Sequence, residues 1–318
     1  MEVRFWGTRG ALPASVTAGE IREKISTALK IALEEGLGAE SDIEGFIDKE
    51  LPFWVKGAYG TNTPCVEIRD GNEFLLCDAG SGLRDFGNHY MRTRDMASPM
   101  DFHILISHLH WDHIQGFPFF TPAYIAGSHI TIYGCHEEIR KAFSVQQVPP
   151  FFPVDFKDLG AEIRFDALTP GKSYEIAGFG VTAMQQDHPG KSYGYRLEKH
   201  GKRVVYSTDS EHKSGIDMES GPFPDFINKA DLLIFDAQYT LADAWTVKED
   251  WGHSNNVIGV ELARKAGVKH LCLFHQEPTS TDKELDKILQ NTKKLVTLIE
   301  DGKPLRVSIA LDGMVIEV

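Results

Sequence analysis

The sequence predicts an α/β fold formed by one large domain over residues 1–318. Three observations support this prediction: strand-like runs recur along almost the whole chain, two amphipathic helices follow near its end, and no linker-like stretch divides it. The chain has 318 residues, of which 42% are hydrophobic, and this is enough for one large core or two modest ones. We find no convincing internal repeat that would indicate a solenoid or a propeller.

Short apolar or alternating runs, bounded by turn residues, predict a series of β-strands. The last two are separated by Asp312-Gly313, a dipeptide typical of a tight hairpin turn. A second hairpin turn is expected at His200-Gly201-Lys202. The predicted strands are 3–6, 65–68, 74–77, 102–106, 129–133, 162–168, 181–185, 193–197, 203–207, 232–236, 270–274, 306–311 and 314–318.

Two amphipathic helices are predicted near the end of the chain. The first begins with Ser254 as its N-cap and ends at Gly267, and the second runs from an Asp282 cap to Gly302. Serine and aspartate are favoured N-caps, and glycine tolerates the left-handed conformation that ends many helices. The apolar faces consist of Ile258, Leu262 and Ala263 in the first helix and of Leu285, Ile288, Leu289, Val296 and Ile299 in the second.

Segment 15–57 lies between two strand-like runs but has helical character, and we interpret it as a helical insertion within the domain. Thr17 with Glu20, and Ser41 with Glu44, match the capping box, in which each residue's side chain satisfies the free backbone N–H of the other. Two helix starts are therefore predicted inside this segment.

The first helix of the insertion carries an apolar stripe that ends at Gly36, and the second helix stops before Pro52. Because amphipathic stripes usually pack on a core, one interpretation is a helical hairpin packed on the body of the protein. The sequence leaves two alternatives open: a cap over the active site and a contact between two copies in a homodimer. The apolar positions are Ile21, Ile25, Leu29 and 31–33 in the first helix, and Ile43, Phe46 and Ile47 in the second.

Composition and charge argue against several classes of protein. The net charge is −13 with histidine neutral, and a strongly acidic surface does not attract polyanions over a broad area, so we expect no extended nucleic-acid surface. The four cysteines are scattered without a CxxC pair, as expected for reduced thiols. The first residues are already strand-like, and no apolar run is long enough to cross a membrane. We therefore expect a cytoplasmic protein without membrane association.

Three histidines and one aspartate lie close together at His108, His110, Asp112 and His113. Neutral imidazole nitrogens and carboxylate oxygens are ligands that Zn²⁺ accepts. The predicted strand 102–106 precedes them, so they lie where a rigid strand opens into a loop, which is a common place for catalytic groups. Four donors at this spacing suit two neighbouring metals better than one tetrahedral site. The alternative is a histidine-rich surface loop, but histidine clusters without a function are rare.

Four ligands from one loop cannot complete the shells of two metals, and three other strand ends carry suitable side chains. His188 follows a predicted strand and precedes a Pro-Gly turn, and Asp209 and His275 each follow another strand. Alone, each histidine is more often a hydrogen-bonded structural residue. Together, and in a chain that also has the histidine-rich loop, the three residues indicate a metal centre.

Four short motifs accompany these donors: Phe-Trp-Gly-Thr-Arg-Gly at 5–10, Asn-Thr-Pro-Cys at 62–65, Asp-Ala-Gly at 78–80 and His-Ile-Gln-Gly-Phe at 113–117. With them, the chain resembles the metallo-β-lactamase fold superfamily, and within it the phosphodiesterase branch that includes ribonuclease Z and small cyclic-phosphodiester hydrolases. The resemblance covers nearly the whole chain apart from the insertion. It implies an αββα sandwich, in which helices cover both outer faces of two packed sheets.

The resemblance also implies the roles of the donors. Zn²⁺ is the expected metal, with Mn²⁺ or Fe open because availability often decides. Asp78 would orient one of the ligands from outside the metal shell. One metal would be held by His108, His110 and His188, and the second by Asp112, His113 and His275, with Asp209 bridging both.

A further pair stands where ribonuclease Z carries its His-Glu-Ala-Thr and His-Ser/Thr motifs. By this resemblance, Asp236 orients His253, and His253 protonates the leaving oxygen. Phe235 and Gln238 depart from the motif, which weakens the match to the reaction of ribonuclease Z itself. The alternative is that His253 is only a structural neighbour of a helix N-cap. We predict Asp112, His253 and Asp236 as catalytic residues.

These residues predict a hydrolase that cleaves a phosphodiester with a hydroxide shared between two divalent metals. Ribonuclease Z enzymes that grip tRNA usually carry a protruding basic arm, in bacterial forms between the third histidine motif and the bridging aspartate. Here the interval from His188 to Asp209 is short and holds a predicted hairpin. The missing arm and the acidic charge both favour a small or cyclic nucleotide-type substrate. Nearby phenylalanines form either an apolar wall for a nucleobase or part of the core: Phe117, Phe119, Phe120, Phe151 and Phe152.

Three other functions stay open at this point. The first is an RNA-processing endonuclease of the ribonuclease Z type. The second is a lactonase or thioesterase of the same fold, which would need the metals but not the pair of Asp236 and His253. The third is a metal-loaded sensor or scaffold without chemistry, but such proteins normally lose ligands, and all seven donors are present here.

Overall fold

Two seven-stranded mixed β-sheets pack face to face, and helices cover their outer faces. The computed structural model describes residues 1–38, 41–95, 100–212, 221–239, 250–299 and 304–318. The strand order is β14-β1-β2-β3-β4-β5-β6 in the first sheet and β13-β12-β11-β10-β9-β8-β7 in the second. The strands are β1 Glu2–Gly7, β2 Cys65–Asp70, β3 Glu73–Cys77, β4 Met100–Leu105, β5 Ser128–Gly134, β6 Glu162–Ala167, β7 Ser173–Ile176, β8 Phe179–Gln186, β9 Ser192–Lys199, β10 Lys202–Ser207, β11 Leu232–Asp236, β12 His270–Phe274, β13 Arg306–Ile309 and β14 Val315–Glu317.

Helices of the described residues lie outside the sheets. The last two helices, Asn256–Lys265 and Asp282–Leu298, form one layer on the second sheet. The helix Gly82–Thr93 contributes to the layer on the first sheet. The predicted αββα sandwich is therefore confirmed. The helices are α1 Ala18–Glu34, α2 Ile43–Glu50, α3 Phe53–Lys56, α4 Gly82–Thr93, α5 Trp111–Ile114, α6 Ile139–Val145, α7 Pro222–Phe226, α8 Asn256–Lys265 and α9 Asp282–Leu298.

The side chains of β11 show why the sequence folds into four layers. All five of its residues are buried. Successive side chains of a strand point to opposite faces of the sheet. Leu232 and Ile234 face the first sheet, whereas Leu233 and Phe235 face the helices on the other side. A strand that is apolar on both faces needs cover on both, and the sandwich supplies it.

The hairpin predicted at Asp312-Gly313 is wrong, although the turn is present. Strand β13 pairs with β12 in the second sheet, and β14 pairs with β1 in the first, so the turn carries the chain from one sheet to the other. Gly313 N–H donates to the carbonyl of Phe5 at 2.7 Å, and the Asp312 carboxylate accepts the backbone N–H of Thr61 and Asn62 at 2.9 Å each. These contacts dock the turn on the neighbouring sheet. The turn at His200-Gly201, in contrast, joins the antiparallel pair β9 and β10 as predicted.

Two predicted N-caps are displaced by one residue. Asn255, and not Ser254, caps α8 by accepting the N–H groups of Val257 and Ile258. Thr281, and not Asp282, caps α9, because it forms a complete capping box with Glu284. The predicted end of this helix at Gly302 lies outside the described residues, and the described helix ends at Leu298.

The insertion folds into α1, α2 and the short α3. The capping box of Thr17 and Glu20 is present at the start of α1. At the start of α2, Asp42 accepts the N–H of Gly45 at 3.0 Å, so the box predicted for Ser41 and Glu44 is wrong by one residue.

Most large side chains of the predicted apolar stripe of α1 are exposed, although Ile31 is partly buried. The helix is held through Lys24, whose Nζ donates to the carbonyls of Trp54 and Gly57 within the insertion and pairs with Asp282 of α9 at 2.6 Å. The three interpretations of the insertion, a hairpin packed on the body, a cap and a homodimer contact, stay predictions. The exposed fractions are 48% for Ile21, 56% for Ile25, 61% for Leu29 and 81% for Leu33.

Candidate metal centre

Polar side chains that follow strand ends meet at one edge of the sandwich. Asp78 and His275 come directly after a strand and Asp209 comes two residues after one, and all three have φ in the left-handed region, at 63°, 60° and 48° respectively. Such a residue turns the chain sharply at the end of its strand. The loop after β4 contributes the histidine-rich segment, which leads into α5 with His110 as its N-cap.

The first group of donors consists of His108, His110 and His188, whose ligating atoms lie within 4.8 Å of one another. His188 Nε2 is 3.2 Å from His110 Nδ1. His108 is buried, and its Nε2 has no hydrogen-bond partner among the described residues. Burial lowers the pKa of His108 well below 6.5, so its ring is neutral, which is the form that binds a metal.

The second group consists of Asp112, His113 and His275, again within 4.8 Å. Asp112 Oδ2 is 3.2 Å from the Nε2 atoms of both histidines. The backbone N–H of Ala11 donates to the same oxygen at 2.8 Å. A Cβ at Gly10 would come within 2.6 Å of the His275 ring, so this position needs glycine. The motif at 5–10 thus packs directly against this group.

Asp209 lies between the two groups. Its Oδ1 is 3.6 Å from His108 Nε2 and 3.9 Å from His188 Nε2, and its Oδ2 is 3.2 Å from His113 Nε2 and 3.3 Å from His275 Nε2. Burial would raise its pKa, but the surrounding histidines outweigh burial and hold it well below 3.8. The carboxylate is therefore charged and faces both groups.

The structure thus brings together all seven predicted donors, in the two groups that the resemblance implies. The donor set fits divalent cations. Imidazole nitrogens of neighbouring donors lie 3.2–3.3 Å apart, and a buried nitrogen of His108 lacks a hydrogen-bond partner among the described residues. Unpaired buried polar atoms are costly, and cations at the centre of each group would satisfy them.

Asp78 holds the second group from behind. Its Oδ2 accepts from His113 Nδ1 at 2.7 Å and from the Tyr206 hydroxyl at 2.6 Å, and its Oδ1 accepts the N–H of Ser107 at 2.7 Å. A proton on His113 Nδ1 leaves Nε2 free to bind a metal. This contact is the one expected of Asp78.

His253 and Asp236 form a hydrogen-bonded pair beside the donors, with Nδ1 and Oδ2 2.8 Å apart. His253 is only 11% exposed, and its ring stacks on that of His275 with centroids 5.2 Å apart. Burial alone would lower its pKa, but Asp236 outweighs burial and raises the pKa of His253 to about 9. The imidazole is therefore protonated at neutral pH and can donate a proton towards the centre.

Three contacts around the centre involve residues that the sequence did not single out as site residues. Gln238 Oε1 lies 3.2 Å from His275 Nδ1, the carbonyl of Gly252 accepts from His188 Nδ1 at 2.8 Å, and Glu211 holds the backbone of segment 250–252. Two of these are backbone contacts, which leave no signature in side-chain chemistry. Gln238 could have been found from its place two residues after a strand end.

The predicted phenylalanine wall divides into two parts. Phe117 and Phe120 are fully buried in the core of the first sheet, whereas Phe119 and Phe151 are 58% and 78% exposed. Phe152 packs edge-on against Phe119, with ring centroids 5.6 Å apart.

None of the helices within the described ranges is both long and apolar enough to cross a bilayer.

A family model, the beta-lactamase superfamily domain, matches residues 74–276. The ribonuclease Z of Archaeoglobus fulgidus is 24% identical over 283 residues, which cover 74% of this chain and 87% of that protein. The solved structure of YhfI, a metallo-beta-lactamase fold protein from Bacillus subtilis, is 20% identical and covers 99% of both chains with a TM-score of 0.62. Human tRNase Z, short form, is 20% identical and covers 100% of this chain and 99% of its own, with a TM-score of 0.59.

Proposed function

This chain belongs to the beta-lactamase superfamily, and from that premise we propose that it is a dinuclear metal-dependent hydrolase that cleaves a phosphodiester in a small or cyclic nucleotide-type substrate. The position of Asp209 carries the proposal. One carboxylate faces two separate groups of three donors, as a bridge between two cations requires. A single tetrahedral site would leave three of the seven donors without a role.

When bound, the two cations would supply Lewis-acid stabilisation of the phosphoryl oxygens and would lower the pKa of a nucleophilic water. The chain's own groups do the rest. His108, His110 and His188 would hold one cation, and Asp112, His113 and His275 the other. Asp78 keeps the proton of His113 on Nδ1.

We assign His253 as the general acid. It carries a proton at neutral pH, and Asp236 fixes its Nδ1, so its Nε2 is the atom that donates to the leaving oxygen. Asp236 itself is held by the backbone N–H groups of Ser210 and Gln238, each at 3.1 Å. This pair has no role in a hydrolase whose leaving group needs no proton, and it favours an alkoxide leaving group such as that of a phosphodiester.

Exposed tryptophans beside the centre support a substrate with an aromatic group. Trp111 lies between two donors and is 74% exposed, and Trp251, two residues before His253, is 56% exposed. The ring centroids of His110 and His188 are 5.0 Å apart, and those of His188 and His253 are 5.2 Å apart. Trp111 follows His110 in the chain and Trp251 comes two residues before His253, so each tryptophan is a sequence neighbour of an outer member of this row of three imidazoles. Tryptophan is highly buried on average, so the exposure of both favours stacking on a nucleobase.

An RNA-processing endonuclease is the second candidate, because the relative from Archaeoglobus fulgidus is a ribonuclease Z. Two features count against it. The interval from His188 to Asp209 holds only the hairpin of β9 and β10, with no room for a basic arm. Phe235, where ribonuclease Z has a histidine, is fully buried in the helical layer of the second sheet and does not reach the centre.

The test is a His253→Ala variant assayed beside the wild-type protein. Loss of a general acid typically costs about 10²–10⁴-fold in rate, so kcat for 2′,3′-cyclic nucleotides, which release an alkoxide, should fall by that amount. Bis-p-nitrophenyl phosphate, whose nitrophenolate leaves without a proton, should be affected much less. Metal analysis should still find two equivalents, because the seven donors are unchanged. His129→Ala, at a position 58% exposed on β5, is the matched control and should keep full activity.

Substrate panels decide between the alternatives. Lactones and thioesters assayed in parallel should be poorer substrates than phosphodiesters. Full activity of His253→Ala on a 2′,3′-cyclic nucleotide, or a metal content of one equivalent in active wild-type protein, would overturn the proposal.

A further inference from the structure

One carboxylate, that of Glu211, ties together three segments around the centre. Its Oε1 accepts the backbone N–H of Asp250 at 3.2 Å, and its Oε2 accepts that of Gly252 at 3.0 Å. Its own backbone N–H donates to the carbonyl of Asp187 at 2.8 Å. The segments after β8 and β10 and the described part of the chain before α8 are thus joined at one residue.

Gly252 links Glu211 to the first donor group. Its carbonyl accepts from His188 Nδ1 at 2.8 Å. Its φ of +84° lies in the left-handed region, and a Cβ at this position would come within 2.3 Å of His188 Nδ1. Only glycine brings a backbone carbonyl this close to the imidazole. The direction of that carbonyl depends on how the backbone on either side is held.

The carbonyl of Gly252 determines the protonation of His188. An Nδ1 that donates to a carbonyl carries the proton of the neutral ring, so Nε2 presents its lone pair to His110 and Asp209. The next residue along the chain is His253, whose Nδ1 reaches Asp236. A shift of Gly252 would therefore disturb one metal ligand and the general acid together.

We propose that Glu211 is a positioning residue for this centre: its carboxylate holds segment 250–253 so that Gly252 fixes the tautomer and direction of His188 and His253 faces Asp236. The inference rests on the proposed function, in which His188 binds a cation and His253 donates a proton. Glu211 itself touches neither substrate nor cation. It differs in this from Asp78, which contacts a donor directly.

The test is Glu211→Gln, which keeps the size of the side chain but replaces one accepting oxygen with an amide nitrogen that cannot accept. Loss of a partner outside the metal shell typically weakens metal affinity about 10–100-fold. We expect that loss for one of the two Zn²⁺ equivalents in chelator competition and wild-type affinity for the other. With Co²⁺, only the visible bands of the site that contains His188 should change.

A matched control is available in α9. Glu284 accepts the backbone N–H of Thr281 at 2.8 Å, as Glu211 does for Gly252, but at a helix start. Glu284→Gln should leave both metal affinities and the Co²⁺ spectrum unchanged. Glu211→Asp, which retains the carboxylate on a shorter side chain, should lie between Glu211→Gln and the wild type. It also provides a second variant if Glu211→Gln does not fold.

A separate readout distinguishes failure of this inference from failure of the proposed function. Nitrogen-15 NMR of the metal-free protein reports the tautomer of His188 without any turnover. We expect one tautomer, protonated at Nδ1, in the wild type and in Glu284→Gln, and a mixture in Glu211→Gln. A single unchanged tautomer together with two unchanged metal affinities in Glu211→Gln would refute the positioning role, whatever the substrate of the enzyme. Absence of phosphodiesterase activity in the wild type would instead count against the proposed function.

Discussion

Backbone strain at single residues places two donors of the centre, Asp209 and His275, and one residue that supports a donor, Asp78. All three have positive φ, a conformation that costs residues other than glycine on the order of 1 kcal/mol or more each. Each residue sits just past a strand that is buried in the core, and the strand cannot shift to relieve it. The hydrogen bonds of Asp78 and the charge of Asp209 against its histidines offset this cost. Strain of this kind clusters at functional sites, and it is a feature of the chain that the sequence does not display.

The pair of Asp236 and His253 gives a prediction for pH dependence. Asp236 raises the pKa of His253 from 6.5 to about 9, so the acid is protonated, and competent, at every pH below that value. The kcat of the metal-saturated enzyme should therefore decline only as the pH rises through about 9. In Asp236→Asn the largest of the raising interactions is lost while those of Asp209 and Asp112 remain, so the alkaline limb should move to lower pH, towards the ordinary histidine value of 6.5.

The measurement is kcat against pH for both proteins on one phosphodiester. Metal content should be followed at each pH, so that loss of metal is not mistaken for loss of the acid. The same alkaline limb in the two proteins would show that another group controls it.

At the scale of elements, the sequence located strands well and connections less well. Every predicted strand is present, because alternating or continuous apolar runs report burial on one or both faces of a sheet. The sequence does not predict the short β7, since two of its four residues are exposed and the strand lies at a sheet edge. The turn at Asp312-Gly313 was assigned to a hairpin because turn chemistry is local, whereas the choice of sheet depends on partners far away along the chain.

The donors of the centre were predictable for the same reason that the strands were. A histidine or aspartate just past a buried strand stands out in a sequence. Their grouping came from the resemblance, and the structure places them accordingly. The supports of the centre were less accessible. Glu211 and Gly252 act through backbone N–H and carbonyl groups, so their side chains give no sign of the contact.

Strand β12 offers a test of stability against pH. His270, its first residue, is buried and contacts the Ser308 hydroxyl at 2.8 Å, and burial, helped by Arg306, lowers its pKa to about 4. Below pH 6.5, His270 becomes protonated in the unfolded chain, whereas in the folded chain it stays neutral until the pH reaches about 4. Stability is therefore lost as the pH falls from about 6.5 to 4, by up to about 3 kcal/mol. His270→Asn should remove this part of the acid sensitivity.

Urea unfolding of wild type and His270→Asn at pH 7 and pH 4.5 measures the effect. Both proteins carry the same metal ligands, so the difference between them isolates His270 from acid-induced loss of metal. Parallel loss of stability in the two proteins would show that His270 does not titrate as its burial demands. The exposed His129 of β5, replaced by asparagine, serves as the control.

At the scale of the whole molecule, the acidic charge limits the substrate. The chain carries 46 acidic and 33 basic residues, and a net charge of −13 repels a long polyanion wherever it leaves the centre. A small diester meets only the local electric field of the centre, where cations would reverse the sign of that field.

The two substrate classes should therefore respond differently to salt. For a cyclic nucleotide, kcat/KM should change little between 50 and 300 mM KCl. A precursor tRNA should be bound weakly at every salt concentration, because the excess of acidic over basic residues opposes contact with its phosphates. Parallel kcat/KM and filter-binding measurements check both expectations. Tight binding of precursor tRNA with a steep decline in salt, together with faster cleavage than of the cyclic nucleotide, would reverse the ranking and make the ribonuclease reaction the better account of this centre.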